Sequence, residues 1–420
     1  MAGTGKDKLP QPVKKNPQLK TAAPLVPPLR RSRLGLRLAG FAARGEFCLP
    51  FCAACDKAVW PPRDACPGCL AELDWREVDR RGELIAESVL ETSPELYFRG
   101  RMPWRIGTVQ LACGPSIMAH LHQEVQVGEQ VEMGLHLDKA QRAVFMAYKN
   151  REGSSVNEDS QLRELTSDPK YRRVLISDAR SPAGLALARA LAAAEAKEIF
   201  AGVAESWRRD AVLEALEALD HVTLVPLDLT DSGSVKELAA EIGGKVDILI
   251  HTADQPRPGG LLDGSSLTLA QEMQDRLVTG YMRLASQFGP AMRGRGADGV
   301  NSATAFVTVL SVYAHANWPS YGTHSACHAA VYSLSQCLRA EMLGSGVRVV
   351  NAYIGPLEQD WYESVLPPKL DPQRLARDVI KGLQQGLEDI YIGDVARDVA
   401  SRFREDAKLL EIELTGGGRE

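Results

Sequence analysis

Residues 174–191 read VLISDARSPAGLALARAL. Three buried-type residues lead into a polar turn. An Ala/Leu-rich stretch follows, with apolar residues at helical spacing. Strand, turn and helix in that order form the first unit of an alternating β/α domain. The alternation continues downstream: EIFAGVA, VTLVPLD, VDILIHT, AFVTVLS and VRVVNAYIG are strand-like, and stretches such as SVKELAAEIG between them are helical. Strands that are apolar on both faces belong to a parallel sheet covered by helices on each side. Residues 170–395 are therefore expected to form a doubly wound, Rossmann-type α/β domain.

Upstream the texture differs. Residues 1–45 read as a flexible basic arm, rich in Lys and Pro, followed by a short basic helix within LRRSRLGLRLAGFAARGEF (29–47). That helix could pack on its own domain or dock on a partner. Residues 46–148 hold a compact cysteine block and then GELIAESVLE, WRIGTVQLA, SIMAHLHQ and QVEMGLHLD. These runs alternate and are split by Gly and Pro, the pattern of a small antiparallel barrel. Residues 149–169 are polar and fit a linker, and 396–420 a tail that is helical and then Gly-rich.

In the cysteine block, Cys52, Cys55, Cys66 and Cys69 form C-x2-C, ten residues, then C-x2-C. Each pair sets two thiolates on one knuckle, and two knuckles close a tetrahedron around zinc. Four sulfurs leave no open position, so the expected zinc is structural. Cys48 lies outside the pattern, and Cys113, Cys327 and Cys337 read as small core residues. The net charge of −5 gives no global field for nucleic acid or an anionic membrane. No apolar run approaches the roughly 20 residues that span a bilayer, and the N-terminus lacks the order of a secretory signal. A cytoplasmic location is the expectation.

With Pro61, Pro62, ELDW at 72–75, Gly82 and Gly128, the block resembles the zinc-ribbon/OB-fold family associated with acyl-CoA metabolism. The likeness covers residues 30–148 and implies a rubredoxin-like ribbon on an OB barrel. It further implies no active site of its own, a thiolase-type acyltransferase as partner, and contact with acyl-CoA. The family's usual Gly after the second Cys is replaced by Asp56-Lys57. An OB barrel also suits single-stranded nucleic acid, but that use needs a basic groove with stacking aromatics, which these strands lack.

Residues 171–393 resemble the short-chain dehydrogenase/reductase family, through VLISDARSPAGLALARAL, LDLTD, DILIHTAD, VTVLSVYAH and VRVVNAYIGPL. The family's glycine-rich phosphate turn reads Ser177, Asp178, Pro182 and Gly184 here, and only the last glycine remains. Asp178 would put a carboxylate against a pyrophosphate, and Pro182 has no N–H to offer. Val203 stands where a charged residue would select the ribose. Asp228 and Leu229 match the adenine-side pair. The NNAG segment becomes His251-Thr252-Ala253-Asp254.

The resemblance aligns Leu277, Ser311, His324 and His328 with the catalytic Asn, Ser, Tyr and Lys, so only Ser311 is kept. Ordinary NAD(P) binding is therefore not expected. His324 and His328, four apart on a helix, share a face. Three roles stay open for them: filling vacated space, altered acid–base chemistry, or metal binding, the last without an acidic third ligand or an HExxH pattern in support.

Together these features imply a non-catalytic accessory subunit for a thiolase-type enzyme in acyl-CoA degradation. Its Rossmann domain would associate with itself or with a reductase through long central helices. The alternative is a divergent NAD(P)-dependent reductase of a β-hydroxy- or β-ketoacyl-CoA. Whether the second domain catalyses anything by itself stays open, as does use of the vacated cleft by the adenine end of CoA.

Overall fold

The computed structural model describes residues 32–149, 159–205, 207–259, 261–262, 267–295 and 302–416. Residues 1–31, which include the arm expected at the start of residues 1–45, lie outside these. Helix α1 (Arg33–Arg44) starts where Ser32 Oγ accepts the Gly35 N–H and stops at Gly45, whose φ of 73° is left-handed. It buries Leu38 and Ala42 in the barrel core, so the helix packs on its own chain.

The ribbon has strands β1 (Cys48–Cys52), β2 (Lys57–Ala58) and β3 (Asp74–Glu77), ordered β2-β1-β3. The barrel follows with β4 (Arg81–Leu90), the single turn α2 (Leu96–Arg99), β5 (Trp104–Leu111), β6 (Ser116–Leu121), β7 (Gln130–Leu137) and β8 (Ala143–Tyr148). It closes in the order β4-β5-β6-β8-β7. Its strands run close at Gly107, where a Cβ would meet Leu84 Cδ1 at 2.6 Å and the Ala86 carbonyl at 2.7 Å.

The expected linker is partly a structured element. Asp159 caps α3 (Ser160–Leu165) by accepting the Gln161 and Leu162 N–H groups, and Leu162 and Leu165 are buried against Met146 and Tyr148. Six residues are too few to show a helical apolar period in sequence. Residues 150–158 of that segment lie outside the described residues.

The second sheet has seven parallel strands, β9 (Arg173–Ile176), β10 (Glu198–Val203), β11 (Val222–Pro226), β12 (Ile248–His251), β13 (Ala305–Ser311), β14 (Arg348–Ile354) and β15 (Asp389–Ile392). Their order is β11-β10-β9-β12-β13-β14-β15. Helices α4 (Pro182–Ala193), α5 (Ala211–Glu217) and α10 (Pro372–Gln384) cover one face. The other carries α6 (Ser232–Ile242), α7 (Leu267–Met273), α8 (Gly280–Gly294), α9 (Gly322–Met342), α11 (Gly393–Glu405) and α12 (Ala407–Gly416). A π-helical turn, Gln274–Thr279, joins α7 to α8. The strand order reverses between β9 and β12, which opens a crevice at their carboxyl ends.

The expected tail also changes status. A boundary at 395/396 falls inside α11, and Ala396, Val399 and Leu410 are buried in the sheet's core. Of the cysteines read as core, Cys327 is buried, Cys113 half-buried and Cys337 exposed.

Barrel and sheet meet through buried polar groups. The Arg348 guanidinium donates to the carbonyls of Leu137 in β7 (2.5 Å), Leu165 in α3 (3.0 Å) and Gly386 before β15 (3.4 Å). His136 Nδ1 donates to the Gln385 carbonyl at 3.0 Å, and its Nε2 accepts the Tyr148 hydroxyl at 2.6 Å. The Glu388 N–H reaches back to the Ala43 carbonyl of α1 at 2.9 Å. Replacing Arg348 by Leu strands buried carbonyls, and the expected loss is roughly 2–4 kcal/mol. Calorimetry should then show the barrel melting ahead of the parallel sheet. A single transition at the unaltered temperature would contradict the role given to this side chain.

Candidate functional site

The ribbon brings the four predicted cysteines together, with all four sulfurs within 4.8 Å of one another. Cys52 and Cys69 Sγ are 3.5 Å apart, Cys55 and Cys66 Sγ 3.9 Å. Tetrahedral zinc with Zn–S bonds of about 2.3 Å needs separations of about 3.8 Å. These two separations match that edge, so the residues present fit zinc. Backbone donors favour one thiolate, the Gly68 and Cys69 N–H groups bringing the Cys66 thiol down to about 6, while burial raises Cys52 and the neighbouring thiols push Cys55 up to about 12. Bound zinc would hold the ribbon's two knuckles together. Trp75 of β3 carries that order outward, stacking on Phe41 of α1 at 5.4 Å, with the Arg37 guanidinium also 5.4 Å from its ring.

The crevice between β9 and β12 gathers the second set of predicted residues. Three N–H groups of its phosphate-type turn are engaged internally. Asp178 N donates to Thr252 Oγ1 (3.1 Å), Ala179 N to the Gly202 carbonyl (2.8 Å) and Gly184 N to Ser181 Oγ (3.0 Å). Pro182 has no N–H. The Asp178 carboxylate is met by Arg276 from the π-helical turn, Nη2 to Oδ2 2.8 Å, so it does not stand as an isolated charge. Gly184 is explained by packing alone, because a Cβ there would lie 2.1 Å from the Asp178 carbonyl.

The other aligned positions also have structural roles. Asp228 Oδ1 accepts the Thr230 N–H and hydroxyl (2.8 and 2.7 Å), and Leu229 is buried in the core. Val203 is a core residue as well. Leu277 is buried beneath the crevice and offers no polar atom. Ser311 Oγ accepts the Tyr313 N–H at 3.3 Å.

His324 and His328 of α9 meet Asp254, which follows β12. Asp254 Oδ1 lies 2.6 Å from His324 Nε2 and 3.3 Å from His328 Nε2, and accepts the Gln255 N–H at 2.9 Å. The two Nε2 atoms are 3.0 Å apart. The expectation that no acidic third group approaches these histidines is thereby corrected. Asp254 lies 70 residues from His324, so no local spacing could signal it.

Ser311 N–H donates to His328 Nδ1 (3.2 Å), which places the neutral ring's proton on Nε2, facing the carboxylate. Burial alone would raise the Asp254 carboxyl, but the two imidazoles hold it well below the usual carboxylate range. Burial, then the His324 charge, lowers His328. His324 Nδ1 is buried without a hydrogen-bond partner among the described residues. The cavity left beside this cluster, bordered by Ser181, Thr252, Asp254, Ser311, His328 and Tyr362, is about 20 Å³. That is room for about one water molecule.

Three family models match the chain. One described as ChsH2, rubredoxin-like zinc ribbon domain, covers residues 41–75, and one described as ChsH2, C-terminal OB-fold domain, covers 75–136. One described as short chain dehydrogenase covers 172–368. The short-chain dehydrogenase cctT of Talaromyces islandicus is 27% identical over 165 residues, 38% of this chain and 54% of that protein. The chain thus spans about half the length of that relative. An uncharacterized oxidoreductase of Staphylococcus aureus (strain N315) is 27% identical over 217 residues, 50% of this chain and 90% of that protein. Among solved structures, a short chain dehydrogenase from Burkholderia cenocepacia J2315 in complex with NADP aligns at TM-score 0.53 and 24% identity, over 59% of this chain and 98% of that one. This likeness is one of fold.

Two predictions come from these residues. Stripping zinc with a chelator, or changing Cys66 to Ser, should unfold the ribbon, since structural zinc contributes about 10–16 kcal/mol in ribbon-sized units. Tryptophan fluorescence from Trp60 and Trp75 would report it, and an unchanged spectrum after zinc loss would contradict it. The second concerns His251, 2% exposed with Nδ1 3.1 Å from Ser177 Oγ, which burial first, then His328 and Arg276, lower to about 3. Below about 6.5 the unfolded chain takes a proton there and the folded protein does not, so stability falls as pH drops toward 3. The slope is up to about 1.4 kcal/mol per pH unit. Denaturant melts at pH 7 and pH 5 should show it, and His251→Asn should flatten it by up to one proton.

Proposed function

We propose that this chain, which carries a ChsH2-type zinc ribbon and OB-fold fused to a short-chain dehydrogenase domain, is a non-catalytic accessory subunit for a thiolase-type enzyme acting on acyl-CoA. The observation that carries the non-catalytic part is the crevice itself. A dinucleotide needs bare N–H groups at a helix start and space for a nicotinamide. Here the N–H groups of Asp178, Ala179 and Gly184 are engaged, and the cavity bordered by Thr252, Asp254, Ser311 and His328 is about 20 Å³. The positions aligned with the proton relay carry Leu277 and two histidines tied to Asp254.

The thiolase and acyl-CoA parts rest on the resemblance of residues 30–148. They are supported by apolar side chains left exposed on the barrel, Ile85, Val89, Met118 and Val127. Association with a reductase or a second copy is supported by an open groove of about 640 Å³ between α8 and α9, where Met282, Ala285, Leu334 and Leu338 line an apolar floor.

A second reading, a divergent reductase, is favoured by Ser311, which borders the cavity at the position aligned with the family's catalytic serine. Calorimetric titration with NADH and NADPH separates the two. The accessory reading expects no saturable heat at millimolar cofactor, while micromolar binding would revive the reductase. CoA should protect the barrel and α1, not the β9–β12 crevice, in hydrogen exchange. Protection of neither would remove the acyl-CoA part.

A further inference from the structure

We propose that Asp254, His324 and His328 form a second metal site, distinct from the tetracysteine cage, for a divalent ion of the zinc class. The three ligand atoms are separated by 2.6, 3.3 and 3.0 Å. A cation about 2.05 Å from each sits about 1 Å out of their plane. The result is a two-histidine, one-carboxylate site with one vertex open. Full tetrahedral spread needs edges of about 3.3 Å, so only the Asp254–His324 edge must open appreciably.

The surroundings suit a water at the open vertex. The adjoining cavity of about 20 Å³ admits one water. Gln359 borders it, and its Nε2 is a buried donor without a partner among the described residues. A metal-bound water would supply the missing acceptor. The elements that present the ligands are stiff. His324 and His328 lie one turn apart on a helix of 21 residues, and Asp254 follows a central strand of the sheet. The ion would tie α9 to the end of β12 across the crevice.

The same geometry sets the affinity. A metal-bound neutral imidazole carries its proton on Nδ1 and is steadied by an acceptor there. Among the described residues His324 Nδ1 has no partner, and His328 Nδ1 faces the Ser311 N–H. Loading moves the His328 proton from Nε2 to Nδ1, so the Ser311 N–H loses its acceptor and the end of β13 must shift. The second ion is therefore held more weakly than the ribbon zinc and exchanges first.

The test is titration of the full-length, zinc-loaded protein with Co²⁺, followed by visible absorption. The site expects one saturable equivalent with ligand-field bands and no thiolate charge-transfer band, since only nitrogen and oxygen bind. Cobalt entering the ribbon would show the charge-transfer band and is thereby distinguished. Asp254→Asn should weaken binding by more than about 100-fold while the ribbon zinc, counted by elemental analysis, stays at one per chain. Should that variant fail to fold, the unaltered protein still decides, through loss of the Ser311 amide resonance from its metal-free position as cobalt is added. No saturable nitrogen/oxygen-type spectrum, or an equal spectrum from folded Asp254→Asn, would overturn the proposal and leave a purely proton-bridged cluster.

Discussion

A single buried guanidinium joins the parts of this molecule. Arg348 enters from the sheet and donates to carbonyls of the barrel, of helix α3 and of the turn before β15. A buried charge is costly unless its donors are satisfied, so the three segments are held at one mutual position. Burial, the largest influence on it, lowers the Arg348 pKa, while Glu388 and Asp138 oppose that shift. Around it, His136, Glu388 and α1 add further bonds across the same junction. The barrel is thus a fixed extension of the sheet's β15 edge rather than a tethered module. A partner seated on the barrel would find the α8–α9 face at a set distance and angle.

The β9–β12 crevice shows a competition for hydrogen-bond donors. A helix start can present its free N–H groups to an anion, or it can satisfy them internally. Here Ser181 Oγ takes the Gly184 N–H of the helix start, and Thr252 Oγ1 takes the Asp178 N–H of the turn before it. Asp178 adds a carboxylate that would repel an anion, but Arg276 neutralises it in place. The turn's carboxylate and three of its N–H groups are met by the chain itself. Asp254 plays a parallel part for the two histidines of α9. Each acid introduced into the crevice has its cationic or N–H counterpart in the fold.

Periodicity made the architecture readable. Strand runs apolar on both faces, separated by helical stretches, could only build a covered parallel sheet, and two C-x2-C knuckles could scarcely do other than form a cage. What stayed hidden was pairing across distance. Arg276 and Asp178 are 98 residues apart and Asp254 and His324 are 70 apart, with nothing local to connect them. Arg348 reads only as a charge at the start of an apolar run. Helix α3 reads as linker because six residues carry little period, and the last two helices read as a helical tail with nothing in their own pattern to say where they dock. Their burial comes from the surfaces they meet.

The phosphate-type turn also separates two constraints that ordinarily fall on the same residues. Gly184 must be small because the Asp178 carbonyl of the turn lies against it, whatever the crevice holds. Asp228 shapes its own turn, and Leu229 fills the core. These three match the resembling family. Asp178, Pro182, His324 and His328, by contrast, lie where a nucleotide or its proton relay would be, and all four depart from it. A site losing its ligand would be released from contacts with that ligand while packing demands persist. A site retuned for a new substrate would instead keep its cofactor-facing atoms and alter those beyond them. The departures here concentrate on the cofactor side, and this distribution, more than any one substitution, supports an accessory role for the sheet.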